Sequence, residues 1–250
     1  MNNSANKKTI PARSLPCKRQ RTQENGNAFF YILIAVVLLA ALSFAVSQNG
    51  RGNVQQISAE RARLYAGEII EQANIMASAV AQTRLRGSAL NELCFDHTSW
   101  GASNYNHAGC ASDLNKIYHP DGAGITWTNA PSEAMDTAAT PDNLWHFYGD
   151  NEIENIGTTC GAASCADLIM LVDELQLTVC QQINGLLGVT DATATPPTDT
   201  SYGETRYIGS FGYTATIGDE AAALSGQTAA CFQKTAAPAE YVFYKVLVSR

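Results

Sequence analysis

The chain has 250 residues, 46% of them hydrophobic and 16% charged, with seven cysteines and a formal net charge of −7. That balance argues against nucleic acid as a partner, because duplex binding draws most of its affinity from Lys and Arg on phosphates. The length suffices for one ordinary domain with its own core.

Residues 1–26 form a basic leader. Lys7, Lys8, Arg13, Lys18, Arg19 and Arg21 stand against one acid, Glu24, which gives +5 and leaves −12 on everything from Asn27 onward. With little apolar surface to bury, the leader reads as disordered, a segment of charge and address rather than fold.

From Ala28 to Val46 the sequence is AFFYILIAVVLLAALSFAV, nineteen residues without a charge, Gly or Pro. As a helix rising 1.5 Å per residue it would reach about 28 Å, close to the roughly 30 Å hydrocarbon core of a bilayer. The reading is a transmembrane helix in contact with membrane lipid, its amino terminus held in the cytoplasm by the preceding Lys and Arg. Within it Ala41 and Ala45 make a small-x-x-x-small pair for helix packing, and Ala35 adds to that face.

At this seam a basic leader ends in Gly26, and an apolar helix begins within two residues and runs on as an amphipathic one. The pattern over residues 20–86 resembles the class III signal of type IV pilins and pseudopilins. The resemblance implies cleavage by a prepilin peptidase between Gly26 and Asn27, and packing of the apolar helix in a filament core with copies of itself or related subunits. The sequence departs from the family at two positions. Asn27 stands where Phe or Met is usual, and Tyr31 stands in place of the glutamate that pairs with a neighbour's terminal amine. Two other readings stay open: a secretory signal cut before Gln48, after the small pair Ala45 and Ser47, and an uncut single-pass anchor.

Gly50 and Gly52 predict a loosened or broken helix. From Val54 to Arg86 the helical period resumes, with Tyr65, Ile69, Ala73, Met76 and Val80 on one face. Gly87 closes this helix as a C-cap, and Arg84 and Arg86 suit the negative end of its dipole.

Residues 88–159 read as loops and short strands, with strand-like pieces around Trp127 and Phe147. Cys94 and His97, followed by His107 and Cys110, have the spacing of paired zinc ligands. A Cys94–Cys110 disulfide explains the same cysteines, and an oxidising compartment favours it. Six exported cysteines allow fifteen connectivities. The expected set is Cys94 with Cys110, Cys160 with Cys165, and Cys180 with Cys231, with no metal and no cofactor.

Cys160 and Cys165 enclose a loop short enough to cap the helix expected over residues 166–187, where Leu168, Leu171, Val172, Leu175, Val179, Ile183, Leu186 and Leu187 fall at helical spacing. Asp173 and Glu174 would sit on it as adjacent residues about 100° apart, which suits solvated charges rather than a catalytic pair. Gly188 ends it. Residues 189–201, with Pro196 and Pro197, read as a surface linker. ETRYIGSFGYTATIG, AACFQKT and EYVFYKVLVS read as three antiparallel strands, the last covered on both faces.

The expected architecture is α+β. A leader (1–26) precedes a transmembrane and amphipathic helix (27–86), then an exported domain (87–250) with three disulfides, a second helix and a carboxyl-terminal antiparallel sheet. None of the nucleophile-elbow, P-loop, zincin or dinucleotide motifs is present, so the chain is read as no enzyme and without catalytic residues. The functional expectation is a pilin-like subunit of a bacterial surface filament or secretion pseudopilus, in the membrane and at the cell surface. The alternative is a single-pass anchored receptor- or adhesin-like binding domain. Mass spectrometry of the mature protein is expected to find a chain starting at Asn27; a start at Met1 leaves the uncut anchor, and a start at Gln48 makes the segment a secretory signal.

Overall fold

The computed structural model describes residues 27–103, 105–136 and 142–250, and for residues 27, 28, 42–57, 102 and 103 the backbone alone. The leader with Gly26, and the side chains of Asn27, Ala28, Ala45 and Val46, therefore lie outside the described residues. Two compact units divide the chain, Met1–Asn53 and Val54–Arg250. Helical backbone is assigned over Asn27–Leu85 (α1), Gly50 and Gly52 included.

In the first unit the described side chains run from Phe29 to Ala41, and every one is exposed, Ala35 and Ala41 among them. The transmembrane expectation is corrected here: among the described residues, no helix is long and apolar enough to cross a membrane.

In the second unit α1 buries Ala62, Ala66, Ile69, Ala73, Met76, Ala79, Val80 and Thr83, at steps of three or four residues with Ala79 and Val80 adjacent, which puts one stripe into the core. The small alanines let the helix lie close to its neighbours. It ends as expected: Gly87 takes φ 106°, and its amide donates to Arg84 O at 3.0 Å.

The sheet also corrects the expected architecture. It is a six-stranded mixed sheet in the order β3-β5-β6-β2-β1-β4, not an antiparallel meander confined to the carboxyl end. Its strands are β1 (His146–Ile153), β2 (Asp167–Val172), β3 (Thr198–Asp199), β4 (Ala215–Ile217), β5 (Ala229–Lys234) and β6 (Glu240–Val248). β1 with β4 and β3 with β5 pair in parallel, and the other neighbours are antiparallel. Residues 167–172, read from the sequence as helix, form β2, and the Cys160–Cys165 loop therefore precedes a strand. The helix α2 begins only at Leu177 and runs to Leu187, closing on Gly188 at φ 73°. The cause is legible afterwards, because a short apolar run buried on both faces has no periodicity to separate strand from helix. No strand is assigned around Trp127, and the expected linker supplies β3.

β2 divides the interior. Leu168, Met170 and Val172 join the core under α1 and α2, while Ile169 and Leu171 join a second core with Tyr148, Ile153, Tyr202, Ile217, Leu224 and Phe232. In β6, Val242, Tyr244 and Val246 face that second core, and Phe243 faces the first. Val248, expected with the even-numbered residues, belongs to the first core. The register slips between Leu168 and Ile169, paired with Val248 and Val246, and such a bulge turns the following side chain to the other face.

The three disulfides are Cys94–Cys110, Cys160–Cys165 and Cys180–Cys231, with Cα separations of 5.2, 5.9 and 5.4 Å, the set expected from the sequence. The last ties α2 to β5. Beside it Asn184, fully buried, donates to Cys231 O at 2.7 Å and accepts from Cys231 N at 2.9 Å.

Buried carboxylates hold the loops against the sheet. Asp167 accepts from Ile153 N at 3.0 Å and Arg250 N at 2.9 Å, and Asp199 accepts from Gly218 N at 2.7 Å. Burial pushes both acids up to about 6. A carboxyl raised in the folded state binds protons there that the unfolded chain has already released, so stability rises as pH falls through about 6 toward 4. Asp113 and Asp142, held below their usual range by Lys116 and His146 respectively, lose their contribution only at lower pH. Thermal unfolding is expected to show a Tm a few degrees higher at pH 5 than at pH 7.5. Asp199→Asn, which keeps an oxygen for the Gly218 amide, should flatten that slope; an unchanged slope would exclude Asp199 as its source.

Candidate functional site

Between α1 and β1 the described residues make short 3-10 turns at Leu90–Glu92, Thr98–Ser103 (interrupted at Gly101, φ 62°), Ala108–Ala111, Asp113–Asn115 and Ser132–Ala134. Three sets of bonds shape this loop region. The first is the Cys94–Cys110 bridge. The second is a two-bond bridge, Cys94 N to Asn115 O at 3.0 Å and Ile117 N to Cys94 O at 2.9 Å. The third is the Asn115 side chain, which accepts from Ser88 Oγ at 2.7 Å and donates to Gly109 O at 3.1 Å. Gly122 is required where it stands, since a Cβ there would fall 1.9 Å from Lys116 O.

Three histidines in this region repeat one local arrangement. The ring Nδ1 of His97 accepts from Ser99 N at 3.2 Å, that of His107 from Gly109 N at 3.1 Å, and that of His119 from Asp121 N at 3.2 Å. Each imidazole thus caps a turn formed by its own two following residues. An Nδ1 that accepts leaves the proton of the neutral ring on Nε2. In His107 that Nε2–H donates to Leu93 O at 2.9 Å, so both of its nitrogens are committed.

These assignments decide the chemistry weighed from the sequence. Cys94, His107 and Cys110 lie together, but both sulfurs are in a disulfide and His107 has no free lone pair, so the zinc-like spacing encloses no ligand set. Asp113, His119 and Asp121 also lie together, with His119 Nε2 3.8 Å from Asp113 and Nδ1 3.8 Å from Asp121. A metal on Nε2 would displace the proton that the Asp121 amide holds there, and Lys116 already takes Asp113 at 2.6 Å. Ser99 Oγ contacts His97 Nδ1 at 2.9 Å, yet that nitrogen is shared with the serine's own amide and is not a free base.

What the region does form is a cleft of about 410 Å³, lined by Asp96, His97, Thr98, Gly101, Lys116, Tyr118 and His119. Its aromatic wall is stiff. His97 stacks on Trp127 at 4.8 Å and 4°, and Tyr118 meets both rings edge-on at 5.3 and 4.9 Å. Burial holds the Tyr118 phenol well above its ordinary range, so it stays protonated. Asp96 Oδ1 is buried without a hydrogen-bond partner among the described residues. An aromatic wall with polar groups around it suits a small ligand.

Asp173 and Glu174 are not on a helix. They form the turn between β2 and α2, Glu174 at φ 53°, and Asp173 accepts from Tyr202 OH at 3.1 Å. That contact belongs to a cluster the sequence did not reveal, in which Lys234, 8% exposed, pairs with Glu240 at 2.6 Å and lies 4.9 Å from the centre of the Tyr202 ring. Lys234 and Glu240 face each other across the β5–β6 pairing, while Asp173 and Tyr202 come from distant parts of the sequence. The signal in the sequence was a lysine at the end of a largely apolar strand.

Compared with known proteins, the chain matches no family profile, no curated protein and no solved structure.

His107→Ala removes two hydrogen bonds from a part-buried turn. It is expected to lower stability by about 1 to 3 kcal/mol, read by chemical denaturation, while added zinc leaves the Tm of the wild-type protein unchanged.

Proposed function

We propose that this protein is a pilin-like structural subunit that assembles with copies of itself or with related subunits in a cell-surface filament or a secretion pseudopilus. One observation carries the reading. Phe29, Phe30, Tyr31, Ile32, Leu33, Ile34, Val36, Val37, Leu38 and Leu39 are all between 39% and 75% exposed. An apolar surface of that extent marks a site of association, and the same segment of other subunits would cover it. The acidic, disulfide-bridged second unit suits the oxidising exterior to which such subunits are delivered.

A second reading, a receptor- or adhesin-like binding domain, is favoured by the cleft at His97 and Tyr118. Fractionation separates the two. The assembling subunit is expected in sheared, sedimentable fibres, and Ala35→Leu with Ala41→Leu should reduce that fraction by disturbing the packing of an otherwise unchanged apolar helix. Recovery of all the protein with the cell envelope, in wild type and variant alike, would exclude assembly and leave the binding domain.

A further inference from the structure

The three bridges differ in access. Cys94, Cys180 and Cys231 are 0% exposed and Cys110 is 6%, so two bridges join residues that are buried at both ends. In the third, Cys165 is 5% exposed but Cys160 is on the surface. Thiol–disulfide exchange requires a thiolate to reach a sulfur of the bond it breaks. Of these six cysteines Cys160 alone is an exposed residue.

We propose that the Cys160–Cys165 bridge is a thiol-exchange site, at which an external dithiol attacks Cys160 Sγ and Cys165 leaves. In the first step the attacking thiolate forms a bond to Cys160 Sγ, the Cys160–Cys165 bond breaks, and its electron pair passes to Cys165 as a thiolate. In the second, the other thiol of the reagent attacks its own sulfur in the mixed disulfide and releases Cys160. The dithiol leaves oxidised by two electrons, its two protons pass to the cysteines, and the loop is left reduced. The reverse sequence, with an oxidised dithiol, closes the loop again.

The surroundings fit this direction of attack. Ser164 Oγ lies 3.8 Å from Cys165 Sγ and 3.7 Å from Cys160 Sγ, so one hydroxyl serves the leaving sulfur without moving. Arg250 donates to Ala163 O at 3.1 Å, which holds a guanidinium on the loop as thiolate charge develops. Glu152 opposes that charge, and it also anchors the loop: its carboxylate accepts from Cys160 N and, at 2.8 Å, from Gly161 N. Asp167 is the other acid close to Glu152. Neither sulfur belongs to either hydrophobic core, so opening frees the loop and leaves the two cores packed.

The test uses the folded full-length chain in a glutathione buffer, quenched by acid and alkylation and read by peptide mapping. Alkylated thiols are expected at Cys160 and Cys165 faster than at the other four cysteines by about tenfold or more, since those bridges must first open by local unfolding. Glutathione trapped as a mixed disulfide should sit on Cys160. All three bridges opening at one rate, or glutathione found on Cys165, would overturn the proposal. In denaturant the preference should vanish. A preference that persists there would place its cause in the local sequence rather than in the fold, and would overturn it equally.

Discussion

The structure depends on β2 being covered on both faces. All six of its residues are buried, and the strand lies between β6 and β1 near the middle of the sheet. Its alternating side chains must therefore be met from two sides. One side is met by regular structure, the alanine-rich stripe of α1 together with α2, and α2 is fixed in place by a disulfide and a two-bond asparagine clamp. On the other side the cover comes mainly from loops and short strands, through Tyr202, Ile217 and Leu224.

Covering a sheet with loops raises the question of where their backbone amides find partners. Here side chains of β1 and its neighbours supply them. Asp150 accepts from Thr205 N at 3.1 Å and from Thr214 Oγ1 at 2.7 Å. Asn151 exchanges two bonds with the Gly203 backbone, at 2.6 and 2.9 Å, much as a neighbouring strand would. Glu152, Asp167 and Asp199 do the same for other segments. Charges buried in this way are costly, and what they supply is a defined position for each loop rather than net stability.

How much of this was legible in the sequence follows from the same division. The stripe of α1, its end at Gly87, the end of α2 at Gly188 and the strands β5 and β6 all carry local signals, a period or a glycine at φ > 0. β2 does not, because burial on both faces erases the alternation that would mark a strand. The polar end of β1, Gly149 to Glu152, reads as turn formers, since nothing local shows that Asp150, Asn151 and Glu152 will be buried with amides waiting for them. The transmembrane reading rested on the length of the apolar run and the basic residues before it, and among the described residues no helix is long and apolar enough to cross a membrane. The spacing of Cys94, His97, His107 and Cys110 pointed to the right region for the wrong reason: Cys94, His107 and Cys110 are close because a disulfide and a turn-capping imidazole shape one loop. The cleft lined by His97 was not legible, for Lys116, Tyr118 and His119 reach it through folds of the chain that no spacing records.

Those capped turns carry a thermodynamic consequence. The two histidines that line the cleft, His97 and His119, are each oriented by an amide two residues further along their own chain, and His97 is also clamped flat on Trp127. Side chains fixed in this way have already given up their rotational freedom during folding. A ligand entering between them would meet a wall that needs no ordering, and would not lose the roughly 0.5 to 1.5 kcal/mol that each immobilised side chain otherwise takes from binding.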